Sequence, residues 1–436
     1  MTRVVFCTIS LFAAAFAVSG QVQRIEPTPT PVKLVVTDNT PKAAAVRPRV
    51  SPTPIIVGSP GNTNVVVTQQ TTTQVPAEPR IFTPTTPALT PLENLNYKTL
   101  PFREIKNKIA EAKRQMQSRP ITIASVNTPM AGESVRIAFN DWDTNKVDYA
   151  VITKDSFLAV ADEKLVSSEG GKQLRIRTIR GNGVNTPIVL IDNNGEAHLP
   201  LLVQYPVVRN GVYLETAYYM STHPGLVNPE VVNAGRLYVR NVIEIARERL
   251  KEKGITVTPK IADIAERLST VEHVDHLRFR TEPHSKIFDD IFTLYALNEG
   301  QTYRYSVSSA GAGGMVQMIP STYRMVRSWH PNVPLVPDFV EGMRNHVNAA
   351  QAMLLYMNRT WDDLVASPTV MDAYTSGIAT QEQLMAAGYN SNPAKIAGYI
   401  KRGGENWTGL IPRETKIYLQ IYDSIERFVP MTARTK

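Results

Sequence analysis

The feature that most constrains the fold is a change in the spacing of apolar residues along the chain. Between residues 120 and 219 apolar and polar residues alternate, as in 135–139 and 174–179, and this period of two is typical of half-buried strands. After Pro224 the spacing becomes three and four, which is typical of helices that bury one face. The sequence therefore predicts a small antiparallel β domain followed by a mostly helical part.

Turn signals and a leading helix complete the prediction for the β domain. Asn194-Gly195 and Asn210-Gly211 are pairs that favour two-residue hairpin turns, and a sandwich or a barrel is expected. An amphipathic helix is predicted over residues 101–117, with Pro101 in its first turn. Its apolar face is expected to contain four residues, which are Ile105, Ile109, Ala112 and Met116.

Residues 1–20 have the layout of a secretory signal peptide. Arg3 is the only charge, an apolar run follows, and small residues precede Gln21. An uncleaved membrane anchor is the alternative interpretation. The single cysteine, Cys7, lies inside this segment, so the mature chain is expected to have no disulfide and no cysteine metal site. We therefore expect an exported protein, periplasmic or extracellular.

Residues 21–95 are rich in proline and threonine and keep no helical or strand period, which predicts a disordered linker. The formal net charge of +8 indicates an anionic partner. An exported protein meets cell-wall polymers and membrane surfaces first, and the sequence has no nucleic-acid motif. We therefore expect no nucleic-acid partner.

Two segments resemble metal sites only superficially. In residues 141–145 acidic and amide oxygens alternate as in a calcium loop, but Lys146 replaces the turn glycine and Ile152 stands where the bidentate glutamate should be, so a polar β-turn is favoured. His273 and His276 could hold a metal, but no third ligand is evident, so hydrogen-bonded surface histidines are favoured.

The candidate catalytic group is a carboxylic acid at the end of a buried helix. An apolar run over residues 287–297 leads to Glu299, and Phe292, Tyr295 and Met315 predict an apolar environment for its carboxyl. A glycine-rich loop follows, and residues 315–319 with Pro320 are expected to start another helix. An acid that faces a glycine loop is a common way to build a cleft.

Three stretches in order resemble the soluble lytic transglycosylases, which cut bacterial peptidoglycan. Glu299 with residues 308–317 and 320–322 resembles the catalytic stretch of that family. Residues 388–393 resemble its Tyr-Asn-Ala-Gly turn, and 411–418 resemble its closing Pro-x-Glu-Thr-x-x-Tyr segment. The matches cover only the last third of the chain.

The resemblance implies a lysozyme-like, mostly α-helical fold for residues 271–430. It also implies cleavage of the β-1,4 bond between N-acetylmuramic acid and N-acetylglucosamine with a 1,6-anhydromuramoyl end. Glu299 would act as acid and then as base, with no metal or cofactor. By the same resemblance, the substrate-binding residues are Ser308, Met315, Gln317, Tyr389, Asn390 and Glu414. Gly300 replaces the serine that commonly follows the catalytic glutamate, which favours an altered substrate preference over a dead site.

The predicted organisation has five parts: a signal peptide at 1–20, the linker at 21–95, a helix with the β domain at 96–220, connecting helices at 221–270 and the catalytic domain at 271–430. Peptidoglycan glycan strands are the expected partner of a monomer, and the β domain could dock a cell-wall or envelope protein. A hydrolytic muramidase and a catalytically silent wall-binding or scaffolding protein are the alternatives. Trp361 and Trp407 are core anchors or sugar platforms, with the core favoured.

Overall fold

The computed structural model describes residues 92–119, 134–160, 162–209 and 212–435. All of these residues belong to one compact unit. The predicted signal peptide, most of the predicted linker and the turn pair Asn210-Gly211 lie outside the described residues. Within the described ranges, no helix combines the length and the apolar character needed to cross a bilayer.

Helix α1, Phe102–Ser118, confirms the predicted amphipathic helix and begins directly after Pro101. Its buried face contains the four expected apolar residues together with the stem of Lys108. This face packs against the sheet, mainly against strand β6, Ala197–Arg209. The helix therefore covers one side of the β part, as its pattern predicts.

The β part is a single seven-stranded antiparallel sheet in the form of a half-barrel. Strand β6 pairs with three other strands, β1, β5 and β7, and the order along the sheet is β2-β1-β6-β5-β4-β3. A short helix, α2 (Lys154–Leu158), follows β2. The remaining strands are β1 Ser134–Asp141, β2 Lys146–Thr153, β3 Lys164–Ser167, β4 Gln173–Thr178, β5 Ile188–Asp192 and β7 Val212–Tyr219.

The two hairpin predictions agree with the strand pairing. Strands β5 and β6 form a hairpin at Asn194-Gly195, but the loop has three residues, 193–195, because the Asp192 amide donates to the Glu196 carbonyl; Gly195 has a φ of 82°, a value that suits glycine. Strands β6 and β7 pair on either side of residues 210 and 211. The predicted antiparallel β structure in the middle of the chain is thus confirmed, in the form of one half-barrel sheet.

Eleven further helices follow in the described residues. The side chains of Asn228 and Thr258 cap the first two, as expected from the Asn-Pro and Thr-Pro pairs. The helices are α3 Pro229–Lys251, α4 Pro259–Val271, α5 His276–Thr281, α6 His284–Asn298, α7 Pro320–Trp329, α8 Phe339–Arg344, α9 His346–Val365, α10 Pro368–Thr375, α11 Gln381–Asn390, α12 Ile396–Gly403 and α13 Arg413–Phe428.

Helix α9 lies at the centre of the helical part. It contacts six other helices, α3, α4, α7, α8, α10 and α11. Its buried methionines, Met353 and Met357, are core residues. Trp407 is buried in the same core, which confirms the structural interpretation of that residue.

The helices at residues 221–270, predicted as a connecting segment, pack inside the helical part. Helix α3 lies against α6 and α9, and α4 lies against α9 and α13. One cluster of buried residues runs from the sheet into these helices, including Phe139 and Val203 of the sheet and Val242 and Phe292 of the helices. The sheet and the helices therefore share a core.

Two local predictions near the resemblance stretches differ from the structure. Residues 314–317 form a turn, Met318 forms an isolated bridge with Gly313, and helix α7 begins only at Pro320. Tyr389 and Asn390 were expected in a turn, but they form the last residues of α11. In both places the local sequence leaves the choice between helix and turn to tertiary contacts.

Candidate active site

Glu299 directly follows helix α6, as predicted, but it does not lie in an apolar pocket. Its side chain is 55% exposed, and Oε1 accepts a 2.6 Å hydrogen bond from Nζ of Lys106 in helix α1. Phe292, Tyr295 and Met315 are almost completely buried in the core and so do not enclose this carboxyl. Its φ of 44° is strained for a residue with a side chain.

The glycine-rich loop between α6 and α7 is held together by its own polar side chains. Oγ of Ser308 accepts a 3.0 Å bond from the Ala312 amide, and Nε2 of Gln317 donates a 2.9 Å bond to the Gly314 carbonyl. Gly314 has a φ of 67°, and a Cβ there would lie 2.4 Å from the Met343 carbonyl oxygen. Ser308 and Gln317, both predicted to bind substrate, therefore stabilise the loop.

A different carboxyl lies where the later resemblance stretches meet. Glu272 follows the last residue of α4, and its Oε1 accepts a 2.6 Å hydrogen bond from the Tyr418 hydroxyl of α13. Among the described residues, no group donates to its Oε2. Tyr389 and Glu414 are near enough to interact electrostatically with this carboxyl.

The environment of Glu272 favours its neutral form. Burial raises the pKa of this carboxyl to about 8, the negative charge of Glu414 acts in the same direction, and the Tyr418 hydrogen bond opposes them. The ordinary value for glutamate is 4.5. At neutral pH the group is therefore mostly a carboxylic acid that can donate a proton.

Two hydrogen bonds fix the backbone of the glycine loop near Glu272. Nε2–H of His273 donates to the Met315 carbonyl over 2.9 Å, and the Tyr389 hydroxyl donates to the Val316 carbonyl over 2.7 Å. The His273 ring stacks on Tyr303 with centroids 3.4 Å apart, and burial lowers its pKa to about 3. His273 thus lies neutral in the wall of the site, not on the surface as the sequence suggested.

The structure brings together some of the predicted residues and separates others. Tyr389, Glu414 and the main chain of Met315 gather around the segment 272–273, whereas the Met315 side chain is fully buried in the core. Glu299 pairs with Lys106 outside this group. Asn390 is partly buried at the end of α11.

Sequence reasoning missed Glu272 although a signal for it existed. The apolar stripe of α4, which includes Ile264 and Leu268, leads to Glu272 just as the stripe of α6 leads to Glu299. Both carboxyls end a buried helix, and spacing alone does not rank them. The contact with Tyr418, 146 residues away in the chain, distinguishes Glu272.

The segment 141–145, which resembles a calcium loop, has its acidic side chains paired with a lysine. In the β1–β2 turn, Oδ1 of Asp141 lies 2.7 Å from Nζ of Lys172, which also contacts Asp143, so a lysine from the β3–β4 connection pairs with the acidic side chains of the predicted polar turn. Across the described ranges, no group of three or more His, Cys, Asp or Glu side chains is arranged to hold a metal.

Comparison of the chain with protein families, with curated proteins and with solved structures found no match. The neutral carboxylic acid of Glu272 has one oxygen without a hydrogen-bond donor in the described part of the chain and can give its proton to the oxygen atom of a bound ligand. The hydroxyls of Tyr418 and Tyr389 and the fixed glycine loop surround this acid.

Proposed function

We propose that the chain is a peptidoglycan lytic transglycosylase in which Glu272 is the acid and then the base. The observation that carries this proposal is the convergence of two resemblance stretches on one raised-pKa carboxyl. Tyr389 comes from the stretch 388–393, and Glu414 and Tyr418 come from the stretch 411–418. Perturbed acids that interact with specific partners are common at catalytic sites.

In the proposed reaction, Glu272 donates its proton to the glycosidic oxygen of the leaving sugar. The N-acetyl group of the muramoyl sugar assists as the bond to C1 breaks. The C6 hydroxyl of that sugar then bonds to C1 and returns its proton to the Glu272 carboxylate. The acid is regenerated, a 1,6-anhydro end forms, and no water, metal or cofactor is consumed.

The surrounding groups have supporting roles in this proposal. The Tyr418 hydroxyl orients the Glu272 carboxyl, and Glu414 helps to keep it protonated. Tyr389 and His273 hold the backbone of residues 315–316 in the glycine loop beside the acid. The helical part is proposed to be lysozyme-like, and the protein is proposed to act on the cell wall after export.

The test compares two glutamine variants of the mature chain. Wild type, Glu272→Gln and Glu299→Gln are incubated with purified peptidoglycan, and soluble products are analysed by mass spectrometry. We expect 1,6-anhydro-muropeptides from wild type and from Glu299→Gln. We expect a loss of at least about a hundredfold from Glu272→Gln, the lower range for removal of a general acid.

Each other outcome has a definite meaning. Loss in Glu299→Gln alone would identify Glu299 as the acid, as the motif match predicted, and would reject Glu272. Products heavier than the anhydro-sugars by one water would identify a hydrolytic muramidase. Sedimentation with the wall without products from any of the three proteins would favour a wall-binding or scaffolding protein.

A further inference from the structure

Three consecutive apolar residues are exposed at the start of strand β7. Val212, Tyr213 and Leu214 are 60%, 48% and 41% exposed. Successive side chains of a strand point to opposite faces, so a strand with one buried face exposes only alternate residues. At this place the described residues therefore cover neither face of the strand. An exposed apolar patch of this kind is typical of an interaction site.

These residues continue a surface that also contains helix α1. The Tyr213 hydroxyl lies 2.6 Å from Oγ1 of Thr216. Thr216 and Tyr218 are two residues apart in β7 and so share a face of the sheet. Nζ of Lys113 in α1 lies 5.8 Å from the centroid of the Tyr218 ring. The start of β7 and the second half of α1 thus lie side by side. We call this surface the α1–β7 face and define it by Lys113, Arg114, Val212, Tyr213, Leu214 and Tyr218.

Helix α1 gives the face a positive charge. The helix contains five Lys and Arg residues and only two Glu residues, so cations are in excess. The Glu299 carboxylate pairs with one of them, Lys106. Lys113 and Arg114 are exposed and form no ion pair within the described ranges. Exposed cations and exposed apolar side chains therefore meet on one surface.

We propose that the α1–β7 face docks on a phospholipid bilayer that contains anionic lipids. Lys113 and Arg114 lie at the headgroup phosphates, since each cation near such a surface adds to the attraction. Tyr213 has an apolar ring and a polar hydroxyl, which suits the boundary between headgroups and acyl chains. Val212 and Leu214 enter the edge of the acyl region, where their exposed apolar surface leaves water.

A bilayer fits this face better than a soluble partner does. An anionic polymer would contact the cations but would leave the apolar residues of β7 in water. A strand that pairs with β7 would cover its edge and not the side chains on both of its faces. A bilayer surrounds an inserted tip on all sides, and its anionic headgroups complement the formal net charge of +8. The inference does not depend on the proposed activity.

The binding test uses the mature chain and sedimentation with vesicles at low salt. We expect the protein to sediment with vesicles of phosphatidylglycerol and phosphatidylcholine, and to bind pure phosphatidylcholine at least about tenfold more weakly. The double variant Lys113→Gln/Arg114→Gln should lose at least about tenfold in binding to the anionic vesicles. Lys251→Gln/Lys253→Gln removes the same charge from exposed positions at the end of α3 and should bind as wild type does.

A second measurement tests insertion of the apolar residues. Tyr213→Trp should show a blue shift of tryptophan emission when anionic vesicles are added, after subtraction of the wild-type spectrum. Leu165→Trp is the matched control, because Leu165 is 80% exposed on β3 at the far end of the sheet, and its emission should not shift. Leu214→Ser should weaken vesicle binding, whereas Leu165→Ser should not.

Four results would overturn the proposal. Equal binding to neutral and anionic vesicles would remove the role of the cations. An unshifted emission of Tyr213→Trp on bound vesicles would show that the apolar residues stay in water. Displacement of the protein from vesicles by soluble polyphosphate, with wild-type binding by Leu214→Ser, would identify an anionic polymer as the partner. A dimer in size-exclusion chromatography that Leu214→Ser abolishes, without vesicle binding by wild type, would identify a second copy of this chain as the partner.

Discussion

The Tyr418 hydroxyl donates a 2.6 Å hydrogen bond to the Glu272 carboxyl, and this bond joins the first turns of α13 to the end of α4. Tyr418 is nearly buried, so its hydroxyl is held in one place. The bond lowers the pKa of Glu272 against the larger effect of burial. Tyr418 is therefore a positioning residue that also tunes the acid.

Tyr418→Phe should shift the alkaline limb of activity to higher pH. Removal of a bond that lowers the pKa of Glu272 lets burial raise this pKa further, so the acid stays protonated to higher pH. The shift should not exceed about one pH unit, because a typical hydrogen bond contributes about 1 kcal/mol and one pKa unit corresponds to about 1.4 kcal/mol. The measurement is the pH profile of kcat/KM.

Tyr422→Phe is the matched control for this profile. Tyr422 lies one turn later on α13 and is equally buried, but its hydroxyl has no hydrogen-bond partner among the described residues. We expect its profile to match that of wild type. A shift to lower pH in Tyr418→Phe would contradict the tuning role.

The raised pKa of Glu272 also predicts a pH-dependent cost in stability. Between about pH 4.5 and pH 8 the unfolded chain has lost this proton while the folded chain keeps it, so the free energy of unfolding falls as pH rises. The glutamine side chain in Glu272→Gln has no titratable proton, so the free energy of unfolding of this variant does not fall with pH for this reason. Relative to wild type, it should gain a few kcal/mol of stability between pH 5 and pH 8, at about 1.4 kcal/mol per pKa unit.

Denaturant titrations of both proteins at pH 5 and pH 8 measure this difference in the free energy of unfolding. Glu299→Gln is the control, since its exposed carboxyl pairs with Lys106 at the surface and should contribute under about 1 kcal/mol. A stability difference between Glu272→Gln and wild type that does not change with pH would show that Glu272 titrates alike in both states.

Much of the fold was predictable because it depends on local patterns. Alternation gave strands β1 and β4, and the Asn-Pro and Thr-Pro pairs gave the starts of α3 and α4. The core shared by the sheet and the helices was not predictable, because it joins residues far apart in the chain, such as Phe139 and Phe292. A pattern reports which face is buried but not what covers it.

The site was predictable only in part, and for the same reason. The structure places Tyr389 against the glycine loop and Glu414 near Glu272, and whether these residues bind a substrate stays a prediction. The choice of acid was not settled by spacing, since Glu272 and Glu299 both end apolar helices. The two carboxyls differ in their tertiary contacts. Glu272 accepts a hydrogen bond from the Tyr418 hydroxyl, whereas the exposed carboxylate of Glu299 pairs with Lys106.

Arg434→Ala should destabilise the chain strongly, by about 3–5 kcal/mol. The Arg434 side chain is only 4% exposed and lies 2.7 Å from Asp263 and 2.6 Å from Glu266, two buried carboxylates of α4. Its removal leaves Asp263 without this partner, while Glu266 keeps only Arg240. Arg359→Ala breaks an exposed pair with Asp363 and should cost under about 1 kcal/mol in the same denaturant titration. Equal losses of unfolding free energy in the two variants would contradict the prediction that the buried ion pairs contribute more than the exposed one.

Gly235→Ala should disrupt the contact between α3 and α6. A Cβ at Gly235 would lie 1.9 Å from the carbonyl oxygen of Phe292, which is a backbone atom and cannot rotate away. The two helices would have to separate, and overpacking of this kind costs about 1–3 kcal/mol or more. Gly409→Ala is the control, because a Cβ there meets no atom within 4 Å. Thermal melts should show a much lower Tm for Gly235→Ala alone, and an unchanged Tm would mean that α3 and α6 are not closely packed in solution.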